Sequence, residues 1–192
     1  MKSKIIEIEN GNYSKKVINE IVSVILDKKI VIMPSDTIYG FLALPEIENK
    51  IREIKKRDER PFLYLISSCT QLDKLGVVYE KCKDVLDKYW PGSITFLMES
   101  GDRKLGLRIP NWNVLRSIVE LSGNPLISTS VNFSDNPAVN DVDEIINTFQ
   151  NVADLIIVDP LFKAGKVSTI VDISIEPFKI IREGSIVFDE AD

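Results

Sequence analysis

Leu126 and Ile127 run directly into Ser128, Thr129, Ser130 and Asn132, and the stretch closes on Ser134-Asp135-Asn136-Pro137. An apolar run ending in so many hydroxyl and amide groups could hold a serine nucleophile or a row of ligand-orienting hydrogen-bond partners. A nucleophile needs a base to take its proton, and the 192-residue chain contains no histidine. Proton relay at neutral pH would then fall to a strongly shifted Asp, Glu or Lys. Hydrogen bonding and fixed charge are what these residues supply without such help.

Three further polar clusters stand where apolar runs stop, the usual place for ligands in open α/β sheets. Ser35, Asp36 and Thr37 lie in PSDTIYG (34–40), just after IVIM, and suit either a site or a strand-to-helix turn. Between 50 and 60, six basic residues (Lys50, Arg52, Lys55, Lys56, Arg57, Arg60) outnumber three acidic ones (Glu53, Asp58, Glu59). That excess fits an anion site, and equally a helix end where the dipole favours cations. Ser168, Thr169 and Arg182 bracket the last two apolar runs, and Arg108 is embedded in LRIP among apolar neighbours. A buried guanidinium needs a partner, either a protein carboxylate or a ligand carboxylate or phosphate. Neither GxxxxGK[ST] nor GxGxxG is present. This inventory suits electrostatic stabilisation of phosphate chemistry, and it describes an anion-binding or nucleotide-using protein.

The elements that must position these groups alternate along the chain. Ser14 caps a helical stripe of Val17, Ile18, Ile21, Val22 and Ile25. A strand follows at 30–34, a helix face at Ile47, Ile51 and Ile54, a strand at 62–67 and a helix over 79–90. Strands at 93–98 and 105–110 precede a helix over 114–123 that stops at Gly123. After the strand carrying Ser128 comes a helix over 141–149, with Asp141 and Glu144 in capping-box spacing. Strands at 155–159, 168–173 and 178–183 complete the pattern. The close spacing at 93–109 and at 168–182 suggests antiparallel pairing, because neither pair leaves room for a crossover helix. The expectation is one α/β domain over 1–192 with a mixed sheet. Cys69 and Cys82, with no CxxC and no histidine, read as ordinary reduced thiols rather than metal ligands. No signal peptide or membrane span is legible, so a cytoplasmic location is expected. A net charge of −5 argues against a surface that clamps nucleic acid throughout, though not against a local basic site.

Taken in order, the clusters resemble one family. PSDTIYG is similar to PTxTVYGL, KKRDERP to KxRP, YWPGSITFLM to WPGPxTF and LRIP to VRxP. STSVNFSDNP is similar to STSANxSGxP, VSTIVD to PSTVVD and IREGSI to RxGxI. The chain thus resembles the YrdC-like threonylcarbamoyl-AMP synthases from about residue 14 to 186, in the short, single-domain form. The resemblance implies a YrdC-like twisted mixed β-sheet with surrounding helices and a large concave basic cavity. It implies that ATP, L-threonine and bicarbonate give L-threonylcarbamoyl-adenylate and pyrophosphate, toward threonylcarbamoyladenosine in tRNA. It places Lys55 and Arg57 at the nucleotide phosphates as the catalytic pair, with Arg60 as a further contact. Ser35, Thr37, Arg108, Ser128 and Ser168 would bind threonine, and Ser130, Asn132 and Arg182 would bind ATP. Mg2+ would accompany ATP, without dedicated protein ligands, and a separate tRNA-threonylcarbamoyl transferase complex would receive the product.

The chain departs from the family pattern at Asp58, Ser93, Val131, Asp135 and Val167, where proline, proline, alanine, glycine and proline are usual. Two other readings stand beside the synthase. One is an RNA-binding module of the same fold, with weak RNA affinity. The other is a divergent paralogue that makes another acyl-adenylate or has lost activity.

Overall fold

The computed structural model describes residues 2–56, 61–133 and 136–189. In chain order they form β1 (Lys4–Glu7), α1 (Lys15–Leu26), β2 (Val31–Pro34), β3 (Tyr39–Ala43), α2 (Glu48–Lys55) and β4 (Leu63–Leu65). There follow α3 (Thr70–Lys74), α4 (Lys83–Tyr89), β5 (Ile94–Ser100), β6 (Arg103–Arg108), α5 (Asn113–Ser122) and β7 (Leu126–Ser130). The last are α6 (Val142–Phe149), β8 (Leu155–Val158), β9 (Thr169–Asp172) and β10 (Lys179–Arg182). The strands join in one ten-stranded sheet in the order β1-β8-β2-β3-β7-β4-β6-β5-β9-β10. It is mixed: β5–β6 and β9–β10 are antiparallel, as their spacing suggests, while β2–β8, β4–β6 and β5–β9 are parallel.

Local signals set the helix ends. The Ser14 hydroxyl accepts from Val17 N–H and the Asp141 carboxylate from Glu144 N–H, each satisfying a free amide of the first turn. Gly123, at φ 67°, ends α5 in the left-handed region.

Three elements lie outside the sequence expectation: β1, α3 and β3. The segment after β2 is not a strand-to-helix turn. Residues 35–38 form the tight turn of a hairpin, and Tyr39–Ala43 returns antiparallel to β2. All five residues of β3 are buried, so the strand shows no polar alternation to betray it.

Side chains alternate between two cores with the period of the pleat. Ile32, Phe41, Ile127 and Ile156 face α6 (Ile145, Phe149), α4 (Leu86) and α2 (Ile51). Val31, Met33, Leu42, Leu126 and Ile157 face α1 (Ile21, Ile25) and α5 (Leu115, Ile118). Burying Ile21 and Ile25 contributes about 1.5–3 kcal/mol apiece, and aspartate at either position would detach α1 from the sheet. On this second face the apolar packing covers β8, β2 and part of β3 and β7. Toward β6, β5 and β9 it gives way to Gly106, Arg108, Thr95, Leu97 and Ile170, which line a cavity.

Candidate functional site

The cavity follows from register. Gly40 pairs with Ser130, and Leu42 with Ser128, which in turn pairs with Leu63. Leu63 pairs with Gly106 and Leu65 with Arg108, Gly106 with Leu97, Thr95 with Ile170, and Ile170 with Arg182. Cross-strand partners share a face, so residues far apart in sequence come to one surface. Gly40 leaves room on that surface: a Cβ there would sit 3.2 Å from the Thr129 carbonyl oxygen and 3.4 Å from Ser128 Oγ.

At one end of the cavity stands the 35–38 turn. Ser35 Oγ donates to Ile38 O (2.7 Å), accepts from Thr37 N–H (3.2 Å) and lies 3.0 Å from Thr37 Oγ1. The turn is braced from outside by Gly165 N–H, which donates to Thr37 O (2.7 Å). At the other end, Thr95 Oγ1 and Ser168 Oγ are 3.0 Å apart, and Arg182 donates through Nη2 and Nε to Ser168 O at 2.8 and 3.2 Å. Gly184 makes this possible. A Cβ there would come within 2.3 Å of Val167 O and 2.4 Å of Thr169 N, so only glycine lets the strand end cross so closely.

Arg108 lies between the two ends and is 2% exposed. Its Nη2 is 3.1 Å from Asp36 Oδ1, out of line for a hydrogen bond, and its Nε and Nη1 have no partner among the described residues. Burial pulls its pKa below the ordinary arginine value, and the Asp36 charge pushes back. Burial and then the charge of Arg108 pull Arg182 down likewise. Arg108 and Arg182 thus bring two positive charges to the lining of one cavity, and Nε and Nη1 of Arg108 have no partner among the described residues.

Sequence reasoning thus brought Ser35, Thr37, Arg108, Ser128, Ser130, Ser168 and Arg182 to one place, and all seven line the cavity. Lys55 and Asn132 stand behind the end of β7. The Lys55 amine is buried and donates to Ser130 O (2.6 Å), Asn132 O (3.1 Å) and Asn132 Oδ1 (2.5 Å), while Ser130 Oγ donates to Asn132 Oδ1 (2.7 Å). Lys55 therefore braces the turn that carries Ser130 and Asn132. Arg57 and Arg60, with Asp58, fall outside the described residues, as does Asp135. Val131 does not narrow the cavity: it points to the opposite face and is fully buried in the core there. Thr95 was missed as a cavity residue, and Asp36, named only within the 34–40 cluster, was not matched to Arg108. For Asp36 the signal was the unmet need of Arg108 for a counter-charge.

The fold and this cavity define an α/β protein with a pocket of hydroxyls and two arginines where sheet strands and the 35–38 turn meet. A family model described as "Telomere recombination", covering the Sua5, YciO and YrdC proteins, matches residues 23–184. A putative threonylcarbamoyl-AMP synthase of Methanocaldococcus jannaschii is 32% identical, across 97% of this chain and 95% of the relative. The structure of Pyrococcus abyssi Sua5 complexed with L-threonine superposes with a TM-score of 0.84 at 25% identity. That match covers 95% of this chain but 58% of the longer archaeal one. Escherichia coli YciO superposes with a TM-score of 0.83 at 22% identity, over 95% of this chain and 96% of its own. The chain belongs to the Sua5/YciO/YrdC family, the YrdC-like family that its motifs resemble.

Proposed function

We propose that this protein makes L-threonylcarbamoyl-adenylate from L-threonine, bicarbonate and ATP, with release of pyrophosphate, for threonylcarbamoyladenosine modification of tRNA. The observation that carries the reading is Arg108, a buried guanidinium with two idle donors on a floor of hydroxyls. It suits an amino-acid carboxylate, held with charge-assisted hydrogen bonds. Ser35, Thr37, Ser128 and Ser168 would orient the rest of threonine. Arg182, at the cavity rim, would turn to the nucleotide.

The neutral threonine nitrogen adds to bicarbonate with loss of water, giving an N-carboxylate. One oxygen of that carboxylate attacks the α-phosphorus of ATP, the bond to the bridging oxygen breaks, and pyrophosphate leaves with the electron pair. No side chain forms a covalent intermediate, so a chain without histidine suffices. The work is positioning and charge neutralisation. Magnesium would arrive on the triphosphate itself, held by phosphate oxygens and water. The product is a reactive mixed anhydride and would pass to a separate tRNA-threonylcarbamoyl transferase complex.

Purified protein given ATP, radiolabelled bicarbonate and L-threonine should form labelled adenylate and pyrophosphate in equal amounts, and only when threonine is present. Absence of the adenylate, with duplex RNA still bound at physiological salt, would replace this reading with an RNA-binding module. The full-length likeness to YciO favours one further arm: pyrophosphate release with another amino acid but not threonine would mark a divergent paralogue.

A further inference from the structure

The two hydroxyls at the Arg182 end of the cavity hold one proton more than they use. Thr95 Oγ1 and Ser168 Oγ are 3.0 Å apart, and either one can donate to the other. Each hydroxyl has one proton and two lone pairs, so their mutual hydrogen bond consumes one proton of the two. Arg182 Nη2 reaches Ser168 Oγ at 3.2 Å, but a guanidinium only donates and takes up neither proton. Both residues are buried, and neither hydroxyl donates elsewhere among the described residues. Their surroundings offer no obvious taker, because Thr95 pairs across the sheet with Ile170, and Leu97 and Val167 line the same cavity. A buried donor left unmade costs stability, so the spare proton calls for an acceptor on a ligand. Among the described residues no carboxylate lines this cavity, and Asp36 belongs to a separate pocket with Tyr13, Trp112 and Asp159.

We infer that the Thr95–Ser168 pair binds bicarbonate, and then the N-carboxylate made from it, as a second anion subsite beside the one at Arg108. The inference rests on the functional reading above, in which threonine brings one carboxylate and acquires another on its nitrogen. The register that pairs Phe96 with Leu107 sets Thr95 across from Arg108 on the neighbouring strand, so the two subsites adjoin. With the α-carboxylate at Arg108, the neutral threonine nitrogen attacks the carbon of the bicarbonate held by the pair. The C–N bond forms, the C–OH bond breaks, and the hydroxyl leaves as water with a proton from the nitrogen. The spare hydroxyl proton bonds one carboxyl oxygen throughout, which leaves the other free to attack the α-phosphorus. Ser168 thus meets threonine at its nitrogen end, through the group that forms there, and Thr95 joins it as a binding residue.

The test is initial-rate kinetics of pyrophosphate release, with one substrate varied while the other two are saturating. Combining Thr95→Val with Ser168→Ala removes both hydroxyls and spares the Ser168 carbonyl that holds Arg182. This double variant should raise KM for bicarbonate about tenfold or more, the worth of a hydrogen bond to a charged group, and KM for threonine less than about threefold. Each single variant should raise KM for bicarbonate about threefold or more, because the remaining proton is no longer held in direction. Thr95→Ser, which keeps both hydroxyls, should restore the wild-type value. An unchanged bicarbonate KM in the double variant overturns the inference, as does an unchanged value in both single variants if the double does not fold. A rise shared equally by threonine, a rise confined to ATP, or a Thr95→Ser variant that behaves like Thr95→Val overturns it too. In each of these cases the wild-type protein still makes the adenylate, and the synthase reading stands. Wild-type protein that makes no adenylate at any bicarbonate concentration removes that reading, and this inference with it.

Discussion

Arg108 and Arg182 line the same cavity and differ in nearly everything around them. Arg108 ends β6, which has β4 on one side and β5 on the other, and its side chain is buried. Arg182 ends β10, the last strand at one edge of the sheet, and is an exposed residue whose guanidinium folds inward onto Ser168. The central arginine has donors without partners among the described residues. The edge arginine engages Nε and Nη2 with the Ser168 carbonyl and hydroxyl. Under the proposed function Arg108 would be a preorganised receptor that meets its ligand with little rearrangement. The other can exchange protein hydrogen bonds for ligand ones at little net cost, which suits a larger, more mobile substrate at the rim.

The contrast predicts unequal consequences for fold and for function. Arg108→Gln leaves the Asp36 carboxylate buried without a counter-charge. It should lower stability by about 3–5 kcal/mol in urea unfolding, and remove threonine binding. Stability within experimental error of wild type would show that the two groups are not an energetic pair.

Lys55 sharpens the comparison, because it is as buried as Arg108 but fully engaged with protein oxygens. Lys55→Met strips donors from Ser130 O, Asn132 O and Asn132 Oδ1 and should cost about 2–3 kcal/mol of stability, with nucleotide affinity falling as the turn loosens. An unchanged melting temperature with lost phosphate affinity would instead make Lys55 a direct phosphate ligand.

How much of this was legible in the sequence depends on what each signal measures. Periodic apolar residues and caps placed α1, α5 and α6, because Ser14, Gly123 and Asp141 act on backbone groups next to them. Strand β3 escaped because burial on both faces erases alternation, and β1 because only its pairing with β8 makes four largely exposed residues a strand. Seven of the residues the motifs singled out line one cavity, because the sheet register and the 35–38 turn bring them to one face. Spacing could not show that Lys55 faces backbone carbonyls, because its direction depends on where α2 lies over β7. Nor could it name Asp36 as the partner of Arg108, a contact between residues 72 positions apart in the chain that only the packed hairpin creates.

Arg182→Ala is the next smaller perturbation. With its hydrogen bonds at an exposed sheet edge, it should leave stability within about 1 kcal/mol of wild type. It should nevertheless lower kcat/KM by about 1.5–3 kcal/mol of transition-state stabilisation, the worth of one charge-assisted contact. A variant equally active but markedly less stable would invert the roles of the two arginines.

The smallest expected effect concerns how the edge bearing Arg182 is fastened. Asp172, at the end of β9, accepts from Lys104 Nζ at 2.8 Å and from Ser174 N–H and Oγ at 3.0 and 2.6 Å. Burial alone would raise its pKa, but these donors outweigh burial and hold it below the usual carboxylate value. A depressed folded pKa stabilises the protein above the unfolded value, near 3.9, and that contribution fades as pH falls from there through the folded value. Lys104 is 42% exposed, so screening keeps the pair small: Lys104→Met should cost about 0.5–1 kcal/mol at neutral pH. The difference between variant and wild type should shrink in urea titrations carried below about pH 3.9, as Asp172 takes up its proton. A difference that persisted unchanged into acid would assign the loss to the packed stem of Lys104 rather than to its charge.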